Sequence, residues 1–182
     1  MSIAQKAVKP CWDYDAYAAL PEDGKRHEII DGEHYVNPAP NLYHQKISGS
    51  LHFQLFSQIE LRGHGSVFYA PVDLQLSDHD IVQPDLVVIS QQRRHIMSVS
   101  RLTGAPDLVI EILSPSNPQH DLHIKRRLYE HSGIPEYWIV DPEQRQVLQL
   151  HLQGGRYEEV VQTTTITMKV APYVTVDLAR IW

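Results

Sequence analysis

Three charged residues of this 182-residue chain stand where a folded protein ordinarily places leucine or valine. Asp85 opens the apolar run Leu86-Val87-Val88-Ile89, Glu111 interrupts Leu108-Val109-Ile110 and Ile112-Leu113, and Lys125 falls on the apolar side of the helix expected to follow. Burying one unpaired charge costs on the order of several kcal/mol, so three in one short region call for mutual compensation or a bound metal ion. Two carboxylates and a lysine can make a metal-dependent hydrolase.

Two of the three, Asp85 and Lys125, have an ordinary alternative. Every neighbour of Glu111 is apolar, which leaves it no solvated face, and it needs a cation. Asp85 follows Pro84, and an aspartate after proline at the start of a strand is also turn chemistry. Asp107 follows Pro106 in the same way. It is assigned to the turn, because on the strand it shares with Glu111 the two lie about 13 Å apart at roughly 3.3 Å per residue. Asp85, on a neighbouring strand, can meet Glu111 across one ion.

Lys125 is placed by winding its helix at about 100° per residue from Leu122. Leu122, Ile124, Leu128 and Tyr129 then span an arc from about 200° to 360°, with Lys125 near 300° inside it. His123, Arg126, Arg127 and Glu130 fall on a solvent-facing arc between about 40° and 140°. The alternatives are a pair with Asp121 one turn earlier, or an aliphatic stem lying on apolar surface with its ammonium in water.

The elements that must position these groups can be read from pattern and punctuation. Residues 13–19 predict a short helix ended by Pro21 and Asp23-Gly24. Asp31-Gly32 between Arg26–Ile30 and Glu33–Val36 predicts a hairpin, since its turn needs positive φ. Apolar residues at Ile47, Leu51, Leu55, Phe56 and Ile59 recur at helical spacing and predict a long amphipathic helix that stops before Gly63. Short strands are expected at 67–69, 72–76, 86–89 and 108–113, the last two apolar on both faces as central strands are. A helix at about 120–131, a strand at 136–140 with Tyr137 and Trp138 in the core, and an edge hairpin around Gly154-Gly155 complete a mixed sheet with at least two packed helices.

Pro84-Asp85, followed by Glu111 twenty-six residues later on a second strand, resembles the PD-(D/E)XK pattern of the restriction-endonuclease-like fold. The segments Arg26–Glu33, Gln83-Pro84-Asp85-Leu86, Glu111–Ser116 and Glu136–Pro142 resemble in particular the Uma-two family, a branch regarded as restriction endonucleases. The resemblance runs from about residue 13 to the C-terminus, and it implies an α/β (α+β) fold, a mixed β-sheet flanked by helices with additional β-hairpins. It implies hydrolysis of DNA phosphodiester bonds with Mg²⁺, or Mn²⁺ as a substitute, held by Asp85, Glu111 and the backbone carbonyl of Ile112. The position two after Glu111, where the pattern has lysine, is Leu113; Lys125 matches the place to which this branch moves its lysine. Glu28 resembles the further acidic residue that the fold contributes from an early element, its plain alternative being a surface cross-strand pair. His44 falls near the rim of the implied site, or is a histidine of the helix-capping region.

The whole chain narrows the class. Its length suits one domain over residues 1–182, with 1–12 expected to be loosely ordered. Cys11 is the single cysteine, no apolar run approaches the roughly 20 residues that span a bilayer, and the first residues lack a signal peptide's apolar core. A soluble cytoplasmic protein that does not engage membranes is expected. The net charge of −6 argues against broad coating of nucleic acid, although part of it can lie in a metal site. That charge and Leu113 motivate a second reading, a catalytically weak or inactive domain that binds nucleic acid or protein on a nuclease-like scaffold. A smaller phosphoester is a third reading, because two carboxylates and a lysine do not specify a polymer. His120 and His123 lack a third zinc ligand, while Arg93-Arg94-His95 and Arg126-Arg127 are phosphate contacts or solvated surface. The resemblance allows a homodimer, since restriction folds pair because cutting both strands of a duplex takes two sites, while no residue of the sequence fixes an interface.

Overall fold

The computed structural model of the protein describes residues 11–21, 23–114 and 119–182. Residues 1–10 of the segment expected to be loosely ordered, and Pro115-Ser116 of the family-like segment, lie outside the described residues. Trp12 is tied down by a 2.9 Å bond from its N–H to the carbonyl of Gly32.

The first helix, α1 (Tyr14–Ala18), starts at Asp13, whose side chain accepts a 2.9 Å bond from Ala16 N–H. Strands β1 (Arg26–Ile30) and β2 (Glu33–Asn37) form the expected hairpin, with Asp31 and Gly32 at φ 53° and 69° as its two-residue turn demands. The long helix α2 (Leu42–Ile59) buries Ile47, Leu51, Leu55 and Ile59, one residue per turn along a single stripe. Each such burial stabilises by roughly 1.5–3 kcal/mol before the entropy of ordering is counted.

The central sheet runs β11-β10-β9-β8-β6-β3. Its members are β3 (Gly65–Tyr69), β6 (Leu86–Ser90), β8 (Leu108–Ile112), β9 (Glu136–Asp141), β10 (Gln146–Gln153) and β11 (Arg156–Gln162). Strands β8 and β9 pair in parallel and the other neighbours are antiparallel, so the sheet is mixed. Alternation sends Leu86, Val88, Leu108, Ile110 and Ile112 into a core with α2, and Val87, Ile89 and Val109 into a second core with Leu128 and Tyr129 of α3 (Arg126–His131). Two-sided burial is why β6 reads as an apolar run and β8 as one broken only by Glu111.

A second sheet, ordered β2-β1-β5-β4-β7, adds β4 (Leu74–Ser77), β5 (Asp80–Val82) and β7 (Leu102–Thr103). A third pairs β12 (Thr165–Thr167) with β13 (Thr175–Asp177), seating Ile166 and Val176 in the core below α2. The sequence pattern did not announce β5, β7, β12 or β13; each has two or three residues, too few to show a period. The helix expected at 120–131 is not α-helical throughout. His120–Lys125 winds as a π-helix and passes into α3.

Candidate active site

Leu86 of β6 pairs with Ile110 of β8, so Asp85, one residue before β6, stands beside Glu111 at the mouth of the central sheet. Both are buried, at 4% and 3% exposure. Asp85 is held on three sides: Oδ1 accepts from Arg26 Nη1 at 2.8 Å, and Oδ2 lies 3.0 Å from His44 Nε2 and accepts from the Ile112 N–H at 2.9 Å. Asn41 caps α2 by accepting from His44 N–H at 2.9 Å, so His44 belongs to the capping turn while its ring reaches Asp85.

Glu111 Oε1 accepts from Lys125 Nζ at 2.9 Å and from the Tyr129 hydroxyl at 2.8 Å. Lys125 Nζ lies 2.9 Å from Glu28 Oε1 as well, and 3.7 Å from Asp121 Oδ1. Lys125 therefore turns inward as expected, but through π winding rather than the α-helical steps used to place it. Glu28 is not a surface cross-strand residue. It is fully buried, accepting from Asn37 Nδ2 at 2.6 Å and Gln83 N–H at 2.9 Å, because the face of β1 that carries it packs onto the site. Asp107 stays apart and meets Ser90 N–H at 2.6 Å and Arg93 Nε at 3.2 Å, as its assignment to the turn requires.

The electrostatics follow from this sharing. Four carboxylates, of Glu28, Asp85, Glu111 and Asp121, face two fixed cations, Arg26 and Lys125. Burial works against the charged form of Glu28, but the Lys125 charge, the His120 ring 3.4 Å away and bonds from Lys125 and Gln83 outweigh it and hold the carboxyl at about 2. Burial likewise opposes ionised Asp85, and His44 and Arg26 overcome it to keep the carboxyl below its ordinary range. Glu111 goes the other way. Burial, reinforced by Asp121, Asp85 and Glu28, pushes it up to about 8 despite Lys125. Burial also raises Asp121, while three surrounding carboxylates keep the Lys125 proton bound far above its usual range against the cost of burial.

These groups line a cleft of about 590 Å³, walled by the 37–41 loop before α2 and by the turn at 141–144. Of its lining residues Arg26 and Lys125 are the fixed cations, beside His44 and His120, against Asp85, Glu111, Asp121, Asp141 and Glu143. Among the described residues no three His, Cys, Asp or Glu side chains converge as a complete metal cage. The donors nonetheless suit a hard divalent ion that keeps most of its waters. Glu111 and Ile112 line the cleft with Asp85, and among the described residues only Oε1 of Glu111 is hydrogen-bonded. Such an ion would supply the positive charge that the cluster lacks.

Of the basic clusters, Arg93 is committed to Asp107 and the Ala105 carbonyl, and Arg126 to Glu159 at 2.7 Å; neither lines the cleft. Reading the residues missed the part of Arg26, although its spacing from Glu28 places both on one face of β1. It also missed Tyr129, one turn beyond Lys125 and equally buried.

The fold and the family are shared with known proteins. The chain is similar to a solved structure from Anabaena variabilis described as a putative nuclease belonging to DUF820, with 21% identity, 93% of this chain and 96% of that chain covered, and a TM-score of 0.78. At that identity the likeness establishes a shared fold. No curated protein is similar enough to match the chain. A family profile described as "Uma2: Putative restriction endonuclease" matches residues 14–178, nearly the whole described chain, and the protein thus belongs to the Uma2 family.

Proposed function

We propose that the protein is a metal-dependent endonuclease that hydrolyses DNA phosphodiester bonds at the Asp85–Glu111–Lys125 cleft. The observation that carries this reading is the juxtaposition of two buried carboxylates from neighbouring strands with a buried lysine bonded to one of them. The family's description and the name of the Anabaena protein support nuclease chemistry.

Asp85, Glu111 and the Ile112 carbonyl would hold Mg²⁺ or Mn²⁺, which supplies Lewis-acid activation of the phosphodiester and of water. Until the ion binds, Arg26 holds Oδ1 of Asp85, while His44 and the Ile112 N–H fix the carboxylate's orientation through Oδ2. Glu28 and Glu111 fix the Lys125 ammonium from two sides at 2.9 Å. An ammonium has three donors, and Asp121 at 3.7 Å is too far to take the third, which is left to meet charge developing on a phosphoryl oxygen. Because Lys125 keeps its proton, it acts as a positioned charge and not as the base.

The test is incubation of supercoiled and single-stranded DNA with the protein in Mg²⁺, Mn²⁺ and EDTA, beside Glu111→Ala and Lys125→Ala shown to be folded by circular dichroism. Cleavage should need metal and vanish in both variants. Cleavage retained by Glu111→Ala would remove the assignment.

A further inference from the structure

Arg26 stands on both partners that this site must accommodate. Its Nη1 takes Asp85 Oδ1 at 2.8 Å, an oxygen of a carboxylate that would hold the ion. Its side chain is 20% exposed and lines the cleft, whereas that of Lys125, the other fixed cation there, is 3% exposed and divided between Glu28 and Glu111. Among the described residues the guanidinium makes no second hydrogen bond. A planar fork of five N–H donors with one in use has donors left for two phosphate oxygens. A phosphodiester entering this acidic cleft meets Arg26 as the more exposed cation, with several donors to spare where Lys125 has one.

We propose that Arg26 is the competitor of the metal ion for Asp85 and, once displaced from it, the ligand of the substrate phosphate. Arg26 and the ion exclude each other at Oδ1 of that carboxylate. A divalent ion on Asp85 carries twice the guanidinium's charge and repels it, so ion binding frees the fork for a phosphate on the same side of the cleft. The second role rests on the phosphodiester reading above; the first does not.

Two bindings separate these roles from a structural one. Mn²⁺ is titrated calorimetrically into the wild type and into Arg26→Ala, Arg26→Gln and Arg26→Lys, and a fluorescein-labelled oligonucleotide is titrated in Ca²⁺ by anisotropy. Loss of the competing cation should tighten Mn²⁺ binding in the Ala and Gln variants by about tenfold, the lower end of what a neighbouring charge does to an ionic equilibrium. The same variants should bind the oligonucleotide about tenfold more weakly, and Arg26→Lys should keep wild-type Mn²⁺ affinity with intermediate oligonucleotide affinity. Unchanged or weaker Mn²⁺ binding by folded Arg26→Gln would overturn the competition, and unchanged oligonucleotide affinity would overturn the phosphate role. Opposite shifts in the two affinities, from a wild type that cuts no DNA, would support Arg26 in both roles and count against the nuclease.

Discussion

A carboxylate inside an apolar strand is held as an anion only as far as positive charge reaches it, and at Glu111 that reach falls short. Glu28 and Glu111 share one lysine, yet Glu28 is drawn down to about 2 from an ordinary 4.5 while Glu111 is pushed up to about 8. Glu111, with its folded value raised, contributes stability that is present below about 4.5 and lost as pH rises towards 8. Glu28 contributes stability that is present above about 4.5 and lost as pH falls towards 2. In EDTA, the melting temperature should therefore decline between pH 5 and pH 8, and Glu111→Gln should flatten that decline; a wild type with level melting temperatures across that span would contradict the charge shortfall. Asp85, Glu111 and Lys125 were legible in the sequence because a charge within an apolar pattern breaks the rule that surrounds it. Glu28 and His44 were reached only through the family resemblance, because strand alternation says which residues share a face and not which face another sheet will cover.

The elements act by aiming these side chains. The residue before β6 supplies Asp85 and β8 supplies Glu111, β1 comes from the other sheet with Arg26 and Glu28, and the π segment before α3 delivers Lys125. The stripe of α2, the Asp31-Gly32 hairpin and the two-sided apolar strands were legible from period and turn chemistry alone. The π winding was not, since its residues also satisfy an α-helical pattern. One further buried carboxylate shows how elements are joined without a cation. Glu136 of β9, with no exposed surface, accepts from Trp138 Nε1 and Gln149 Nε2 at 2.7 Å each through Oε1. Its Oε2 accepts from the Lys169 and Val170 N–H groups at 2.7 and 3.2 Å, which ties the chain after β12 to the central sheet. Glu136→Gln sets an amide donor against those donors and should cost about 1–3 kcal/mol in urea unfolding. No measurable change would mean that these bonds are not what docks β12 and β13.

At the scale of the molecule, the site lies where the two larger sheets meet, with α2 covering one face of the central sheet and α3 the other. Among the described residues no helix is long and apolar enough to cross a membrane. A ligand that bridges parts of one fold stabilises all of them by mass action. Saturating Mn²⁺, at about a hundred times its dissociation constant, should raise unfolding stability by about 2.7 kcal/mol. Glu111→Ala should lose that gain, and an equal gain in the variant would place the ion elsewhere. On the proposed reading, the acidic lining of the cleft means that phosphate must arrive together with positive charge, which the ion would supply. The most direct measurement is nicking of supercoiled plasmid as Mg²⁺ is titrated, with wild type and Asp85→Asn side by side. Nicked circles that rise with Mg²⁺ to a plateau in the wild type, and stay at background in EDTA and in the variant, are the predicted result; equal nicking by the folded variant, or none by the folded wild type at any Mg²⁺ or Mn²⁺ concentration, would contradict it.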